Sequence, residues 1–396
     1  MSLTVGIGLS KAQDPILAAK EAALKARSAA ADEKISLAIV FASIKLSSPI
    51  ILKTISAYLG DCPIIGCSAA AIIYETSILK EGIAVMALGL PEDIYLNASC
   101  IENINNKSAL VAGEELGEKL LYGFQNVRRD LSIIFSDGLL KDSSSLITGM
   151  QAKMGKSFPI VGGGASDNLT FKKTGVYFNQ DVLSDAACGA LLGGKLSFGI
   201  GINHGWKPLG KLRRITRSEA NIVYEIDGRP AAEIYAEYLS STIAELRKEL
   251  KRIFILYPVG IYLPGEEEYL LRNLISIGQD GSLVFQGAVP QDCQIRLMIG
   301  TKESCLSAAT HATEEVKKDF LGKKINFALV FDSVSRYILL RRDAQKELRI
   351  IKEGLGQDVP LIGFYTYGEQ APLRATNYQG TSRLHNQTIT ILGVGI

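Results

Sequence analysis

The tetrapeptide Pro63-Ile-Ile-Gly66 returns as Pro159-Ile-Val-Gly162 and again as Pro360-Leu-Ile-Gly363, and this repetition constrains the fold more than any other feature of the chain. Upstream of each copy lies a short apolar run ending in phenylalanine: Leu37 to Phe41, Leu131 to Phe135, and Phe327 to Phe331. The separations from phenylalanine to proline are 22, 24 and 29 residues, so one unit with variable loops accounts for all three. A strand and helix precede each run: Leu3 to Leu9 then Pro15 to Ala31, Ile94 to Cys100 then Ser108 to Tyr122, and Gln294 to Ile299 then Thr301 to Phe320. A further strand rich in small residues closes each unit: Gly82 to Gly89, Cys188 to Gly194, and Gln387 to Gly393. The chain thus reads as three related β-α-β-α-β-β units.

Local signals support this reading. Asp14 before Pro15 is an N-cap followed by proline at the first helical position. Ser108 opens a second helix in which Leu110, Val111, Leu116, Leu120 and Leu121 are expected on one broad face. The strand runs are continuous rather than alternating, as expected when both faces are covered. The fold class expected is α/β, with mixed β-sheets covered by helices.

About a hundred residues separate the second unit from the third, and they carry signals of their own. Asn221 to Asp227 alternates and ends in Asp227-Gly228, a hairpin turn. Pro230 starts a helix reaching about Ser240, a charged helix spans Ala244 to Arg252, and strands follow near Tyr269 to Ile277 and Ser282 to Gln286. This is an α+β insert between units two and three. A chain of 396 residues exceeds what one ordinary core supports. Two domains are expected, 1–220 with two units and 221–396 with the insert and the third, divided near Ser218 to Asn221.

Composition narrows the function. With 43 basic and 41 acidic residues the net charge is +2, too small a field to hold nucleic acid or an anionic membrane. The densest basic stretch, Lys207 to Arg217, reads as a solvated hairpin. Six cysteines without a C-x-x-C pair are expected to be reduced, as in a cytoplasmic protein. No basic leader precedes the first strand, and no apolar run approaches the roughly 20 residues that cross a bilayer.

Read as turns at strand ends, the Pro-x-x-Gly elements would aim backbone N–H groups at a small anion. Gly66, Cys67 and Ser68 follow the first. Gly163, Gly164, Ser166, Asp167 and Asn168 follow the second, which is the most permissive. A glycine in such a place also serves simply as a tight turn. No G-x-S-x-G elbow, Walker lysine loop or complete dinucleotide fingerprint is present. Three histidines, His204, His311 and His385, form no zinc-ligand spacing, and His311 lies in a polar helix expected to face solvent.

Taken in order, these landmarks resemble the FIST family, a sensory module with FIST-N and FIST-C halves. The segments that carry the resemblance are Ile65-Gly-Cys-Ser68, Pro159-Ile-Val-Gly-Gly-Gly-Ala-Ser-Asp167, His204-Gly-Trp-Lys-Pro208, Glu225-Ile-Asp-Gly-Arg-Pro230, Leu271-Arg272, Arg336, Pro360 to Glu369 and His385-Asn-Gln-Thr388. The resemblance implies a cytoplasmic input module that binds a small ligand, an amino acid or a relative, without turnover. It also implies that the module reports to a separate signalling protein such as a kinase or cyclase. Where family members often carry cysteine before the FIST-C arginine, this chain has Asp332-Ser-Val-Ser-Arg336.

For such a ligand, Arg272 or Arg336 is the candidate carboxylate fork, and Glu369 or Asp167 the candidate acceptor for the amine. Tyr365 and Tyr367, two apart on a strand, share a face, and His204 and Asn386 complete the candidate set. Each arginine could equally be an internal ion-pair partner. No cofactor is expected. Two alternatives stay open: a haem-based gas sensor for nitric oxide with His204 or His385 as axial ligand, and a hydrolase with Ser68, Cys67 or Ser166 as nucleophile.

Overall fold

The computed structural model describes residues 3–31, 33–266, 268–375 and 378–396. The three units are present, and each begins with a helix docked on a strand. In unit one, Asp14 accepts a hydrogen bond from the N–H of Leu17 (2.7 Å) and caps the helix Pro15–Ala29, which buries Ala18, Ala19, Ala22, Ala23 and Ala26. Only a methyl-sized face lets that helix lie so close to its sheet. In unit two the buried face of Ala109–Leu121 is Ala112, Gly113, Leu116, Gly117 and Leu120. Leu110 and Val111, expected on that face, are exposed instead, because the glycines draw the neighbouring helix Ser143–Met154 onto the opposite side of the first turn.

Within each unit two parallel strands form the centre: Leu37–Ser43 with Ile64–Ala69, Arg129–Ser136 with Ile160–Gly164, and Phe327–Ser333 with Leu361–Thr366. The closing strand of each unit lies antiparallel against the first of the two. The short hairpin that follows each Pro-x-x-Gly element does not stay in its own sheet. Strands Val176–Phe178 and Asp181–Leu183 of unit two complete the sheet of unit one. Strands Glu369–Ala375 and Tyr378–His385 of unit three complete that of unit two, and Ile72–Tyr74 and Ser77–Leu79 of unit one complete that of unit three. This cyclic exchange closes the three sheets into a ring.

The inner faces of the ring meet in an apolar core. Phe41, Phe135 and Phe331, the equivalent residues near the ends of the three runs, gather there with Phe364, at centroid separations from 4.8 to 6.2 Å. Gly66, Gly162 and Gly363 are not turn residues. They lie within strands, and a Cβ at each would stand 1.9, 1.8 and 2.0 Å from the carbonyl oxygens of Val40, Ile134 and Val330 on the partner strand. The recurrent glycine is therefore a requirement of strand packing, and the ring encloses aromatic side chains rather than a shared polar hollow.

The sequence places the first strand of unit three at Gln294–Ile299, and the structure assigns that place elsewhere. Strand Ser197–Asn203 pairs along its whole length with Ile389–Gly395 and is the true first strand, while Gln294–Ile299 pairs with Lys207–Glu219 and Val259–Tyr262. The insert thus leaves unit three after its first strand and returns at the helix Lys302–Phe320. It has its own sheet, helices Glu233–Leu239, Ile243–Lys248 and Leu250–Leu256, and a core that includes Val223, Tyr235, Leu283 and Leu297. The basic stretch does form a hairpin with Ile222–Ile226, and its one buried cation, Arg213, is paired with Asp227 and Glu237.

Candidate functional site

The register of the exchanged hairpins identifies equivalent positions in the three units. Ile72 lies opposite Phe364, Val176 opposite Cys67, and Glu369 opposite Gly163. Units one and two fill this place with an aliphatic residue, and unit three with a carboxyl group. Glu369 is fully buried. Its Oε2 accepts from the N–H and hydroxyl of Thr388 (3.0 and 2.8 Å), while Oε1 has no hydrogen-bond partner. Burial raises its pKa to about 8 against the opposing pull of the Thr388 bonds. A buried carboxyl group with an unused oxygen is costly unless it serves a purpose.

Other polar groups converge on the same hairpin. Glu369 lies opposite His385 and Ala371 opposite Arg383, so Glu369, Arg383 and His385 project from one face. His385 is buried, and its Nε2–H donates to the carbonyl of Ala371 (3.0 Å). Burial, with smaller contributions from Arg272, Arg383 and His204, lowers its pKa to about 3, so the ring is neutral. Arg272 comes from the insert. It donates through Nε to the carbonyl of Ala288 (2.9 Å) and through Nη1 to those of Leu271 (2.9 Å) and Leu384 (3.0 Å). Asn386 donates to the carbonyl of His385 and accepts from the N–H of Asn273 (3.2 Å), tying the hairpin to the insert a second time.

Arg336, whose charge opposes part of the rise in the Glu369 pKa, is engaged by partners of its own. Its Nε faces Asp332 (3.1 Å), Nη1 donates to the carbonyl of His204 (2.6 Å), and Nη2 donates to the carbonyl of Cys305 (2.9 Å) and to Glu347. With its fork committed on both edges it is an internal ion-pair node, not a carboxylate clamp. Asp332 is held well above the usual carboxylate range by burial and by Glu347. Tyr365 packs on Tyr337 (4.5 Å between centroids), its hydroxyl unpartnered and its pKa raised first by burial and then by Asp332 and Glu347.

His204 accepts from the N–H of Trp206 at Nδ1 (2.9 Å) and faces Glu268 at Nε2 (2.9 Å). With both nitrogens of His204 engaged, and His385 buried and bonded to the backbone, neither ring fits the role of an axial haem ligand. His311 faces solvent as expected.

The remaining candidates build the junction between units. Ser68 donates to the carbonyl of Ser166 (2.9 Å) and accepts from the N–H of Gly175 (2.9 Å). Ser166 donates to the carbonyl of Tyr365 (2.5 Å) and accepts from the N–H of Ala70 (2.8 Å). Cys67 is buried in the ring core, its thiol pKa pushed well up by burial, and Gly163 and Gly164 pack against Thr366 and Gly138. Asp167 accepts the N–H groups of Thr170, Phe171, Lys172 and Lys173 at 2.9 to 3.2 Å, the hydroxyl of Thr170, and that of Tyr367. Burial raises its pKa, but these bonds, led by Thr170 and Tyr367, outweigh it and hold the group well below its ordinary value. Asp167 is thus a loop organiser, while Asn168 is exposed.

The structure therefore gathers Glu369, His385 and Asn386 on one hairpin, with Arg272 tied to it through the Leu384 carbonyl and His204 linked by its backbone to Arg336. Thr388, Arg383 and Asn273 join them without having been singled out from the sequence. Glu369 was named from the sequence by its chemistry, and a position-by-position comparison of the units marks it again, since it replaces the aliphatic Ile72 and Val176 of the other two. Arg383 and His385 stand two apart on a strand, which was readable.

Two family models match the chain: the FIST N domain over residues 36–229 and the FIST C domain over residues 231–372. The chain belongs to the FIST family. Its FIST domains are sensory domains of signal-transduction proteins. An uncharacterized protein of Mycobacterium tuberculosis is 24% identical over 390 residues, covering 95% of this chain and 96% of the relative. An uncharacterized protein of Methanocaldococcus jannaschii is 24% identical over 253 residues, covering 59% of this chain and 48% of its own length, so the matched part spans about half of that relative. Among solved structures, a cyanuric acid hydrolase described as an evolutionary innovation by structural concatenation aligns over 100% of both chains at 7% identity and a TM-score of 0.36. Among the described residues no helix of this FIST protein is long and apolar enough to cross a membrane.

Proposed function

We propose that this FIST protein reversibly binds a small amino-bearing metabolite, an amino acid or a related small carboxylate, at the seam around Glu369, and passes the signal to a separate protein such as a kinase or cyclase. The observation that carries the reading is the buried Glu369, with one oxygen unpartnered, at a position filled by Ile72 and Val176 in the other units. An ammonium group is the natural partner for that oxygen, since a charged donor to a buried carboxylate repays what two neutral donors do not.

A non-catalytic role is favoured by the state of the strand-end hydroxyls. Both Ser68 and Ser166 donate to backbone carbonyls and accept backbone N–H groups, so neither stands beside a base. Binding transmits a signal only through different affinities for two states of the protein. The test is a thermal-shift series with free amino acids and small carboxylates on the wild type and on Glu369→Ile, which restores the pattern of units one and two. Stabilisation of the wild type alone, without turnover, supports the reading. Equal shifts in both proteins, or none in the wild type, would refute it.

A further inference from the structure

The first strand of each unit lies at the edge of its sheet, where outward backbone groups meet no further strand. In unit three the helix Lys302–Phe320 closes this edge: the N–H groups of Ile200 and Ile202 donate to its Asp319 (3.2 Å) and Glu315 (2.9 Å). In unit two Lys119 donates to the carbonyl of Cys100 (3.0 Å). In unit one Lys25 and Tyr74 donate to the carbonyls of Leu9 (2.9 Å) and Ile7 (3.4 Å). Alternation along the strand Thr4–Ser10 turns the N–H and carbonyl of Val5 the same way, and among the described residues they have no side-chain or loop partner.

A groove of about 620 Å³ opens at this place, between the start of the strand and the segments that lead into the two parallel strands of unit three. Leu3, Val5, Phe320, Ile325, Leu355 and Val359 supply its apolar lining. Lys317, Lys323 and Lys324 line it against a single acid, Asp358, and none of the three has a carboxylate partner among the described residues. Between Phe320 and Gly322, which both line the groove, Leu321 is 88% exposed and has a φ of 48°. A bulky side chain held in the left-handed region and turned to solvent adds nothing to the core and works against the backbone.

We infer that this groove receives an extended segment of another protein, in which acidic residues alternate with apolar ones, added as a further strand beside Val5. The outward groups of Val5 match the ladder of an incoming strand. The excess of lysines calls for carboxylates, and Leu321 offers an apolar anchor at the rim. A free anion answers the lysines but leaves the strand edge and the apolar lining unused. The inference does not depend on the Glu369 reading, so each can fail without the other.

The experiment uses the full chain and three probes: a capped peptide of alternating glutamate and valine, the same peptide with lysine in place of glutamate, and inorganic phosphate. The glutamate peptide should bind at least about tenfold more tightly than either other probe and slow amide exchange at Val5 at least about tenfold. Joint substitution of two exposed residues, Lys323→Gln with Lys324→Gln, should bring the two peptides to within about threefold of each other. Leu321→Gly installs the residue that positive φ favours, so its melting temperature should hold or rise, while its affinity for the glutamate peptide should drop at least about threefold. Equal binding of the two peptides, or binding of phosphate as tight as that of the glutamate peptide, would overturn the inference. Protection that spares Val5, or a Leu321→Gly variant that binds the glutamate peptide as the wild type does, would overturn it as well.

Discussion

Replacing Glu369 by glutamine removes a titration while keeping the shape of the side chain, which makes its effect calculable. Burial raises the Glu369 pKa from 4.5 to about 8 in the folded chain. Between those values the folded protein holds a proton that the unfolded chain has released. The stability this group contributes is therefore whole below the unfolded value and is lost as pH rises through the folded one. Each pH unit across the interval removes about 1.4 kcal/mol, so between about pH 5.5 and about pH 8 the wild type should lose about 3 kcal/mol that Glu369→Gln keeps. Asp332, raised first by burial and Glu347 and only last by Glu369, keeps most of its own slope in both proteins. Urea unfolding of both proteins at each pH, with slopes checked for constancy, reads the difference. Profiles that run parallel to within about 0.5 kcal/mol would show that the carboxyl group is solvated or charged in the folded state, and the seam would lose its defining feature.

Three further outcomes follow from the geometry. Gly162→Ala or Gly363→Ala places a Cβ within 2.0 Å of a strand carbonyl and should cost more than about 3 kcal/mol, seen as loss of soluble folded protein. Asp167→Ala strips the acceptor from four backbone N–H groups and should open the loop to proteolysis near Leu169 to Lys173, with a cost of about 2–4 kcal/mol in chemical denaturation. Arg336→Met leaves Asp332 and Glu347 facing each other without a cation and should cost about 3–5 kcal/mol in the same assay.

Much of the architecture was legible because the repeat is written in short apolar runs, and burial on both faces forces such runs to be continuous. What the repeat could not reveal was where each hairpin goes. The hairpin strands Ile72–Tyr74 and Ser77–Leu79, Val176–Phe178 and Asp181–Leu183, and Glu369–Ala375 and Tyr378–His385 pair in sheets built from other units, and strand exchange of this kind leaves no mark on periodicity. The misplaced first strand of unit three has the same origin: Gln294–Ile299 and Ser197–Asn203 have similar apolar content, and only their partners distinguish them. The Pro-x-x-Gly signal was read as a turn because glycine permits both turns and close approach, and a lone sequence cannot separate the two. Arg272, His204 and Glu369 were found by their chemistry. Arg336 was also found, but buried acids from a strand and a later helix claim it, a contact no spacing displays.

The exchange of hairpins also determines what a ligand at the seam would act upon. The strand that carries Glu369 belongs to unit three in the chain but to unit two in the sheet, where it pairs with Gly162 and Gly163. The strand beside it carries Arg383 and His385, and its Leu384 carbonyl is held by Arg272 of the insert. Just before the hairpin, Tyr367 accepts a bond from Gln286 of the insert through its carbonyl and donates its hydroxyl to Asp167 of unit two. A ligand bound at Glu369 would therefore alter the contacts of three bodies at once. The ring core of packed phenylalanines resists graded deformation, and the insert meets the ring through these polar bonds and through apolar contacts, with Leu271 and Met298 packed in one cluster with Cys305, Leu340 and Ala344, and Leu373 of the hairpin packed into the insert core. Ligand binding should accordingly change the docking of the insert and leave the ring unchanged, and amide exchange that slowed uniformly across all three units would contradict this.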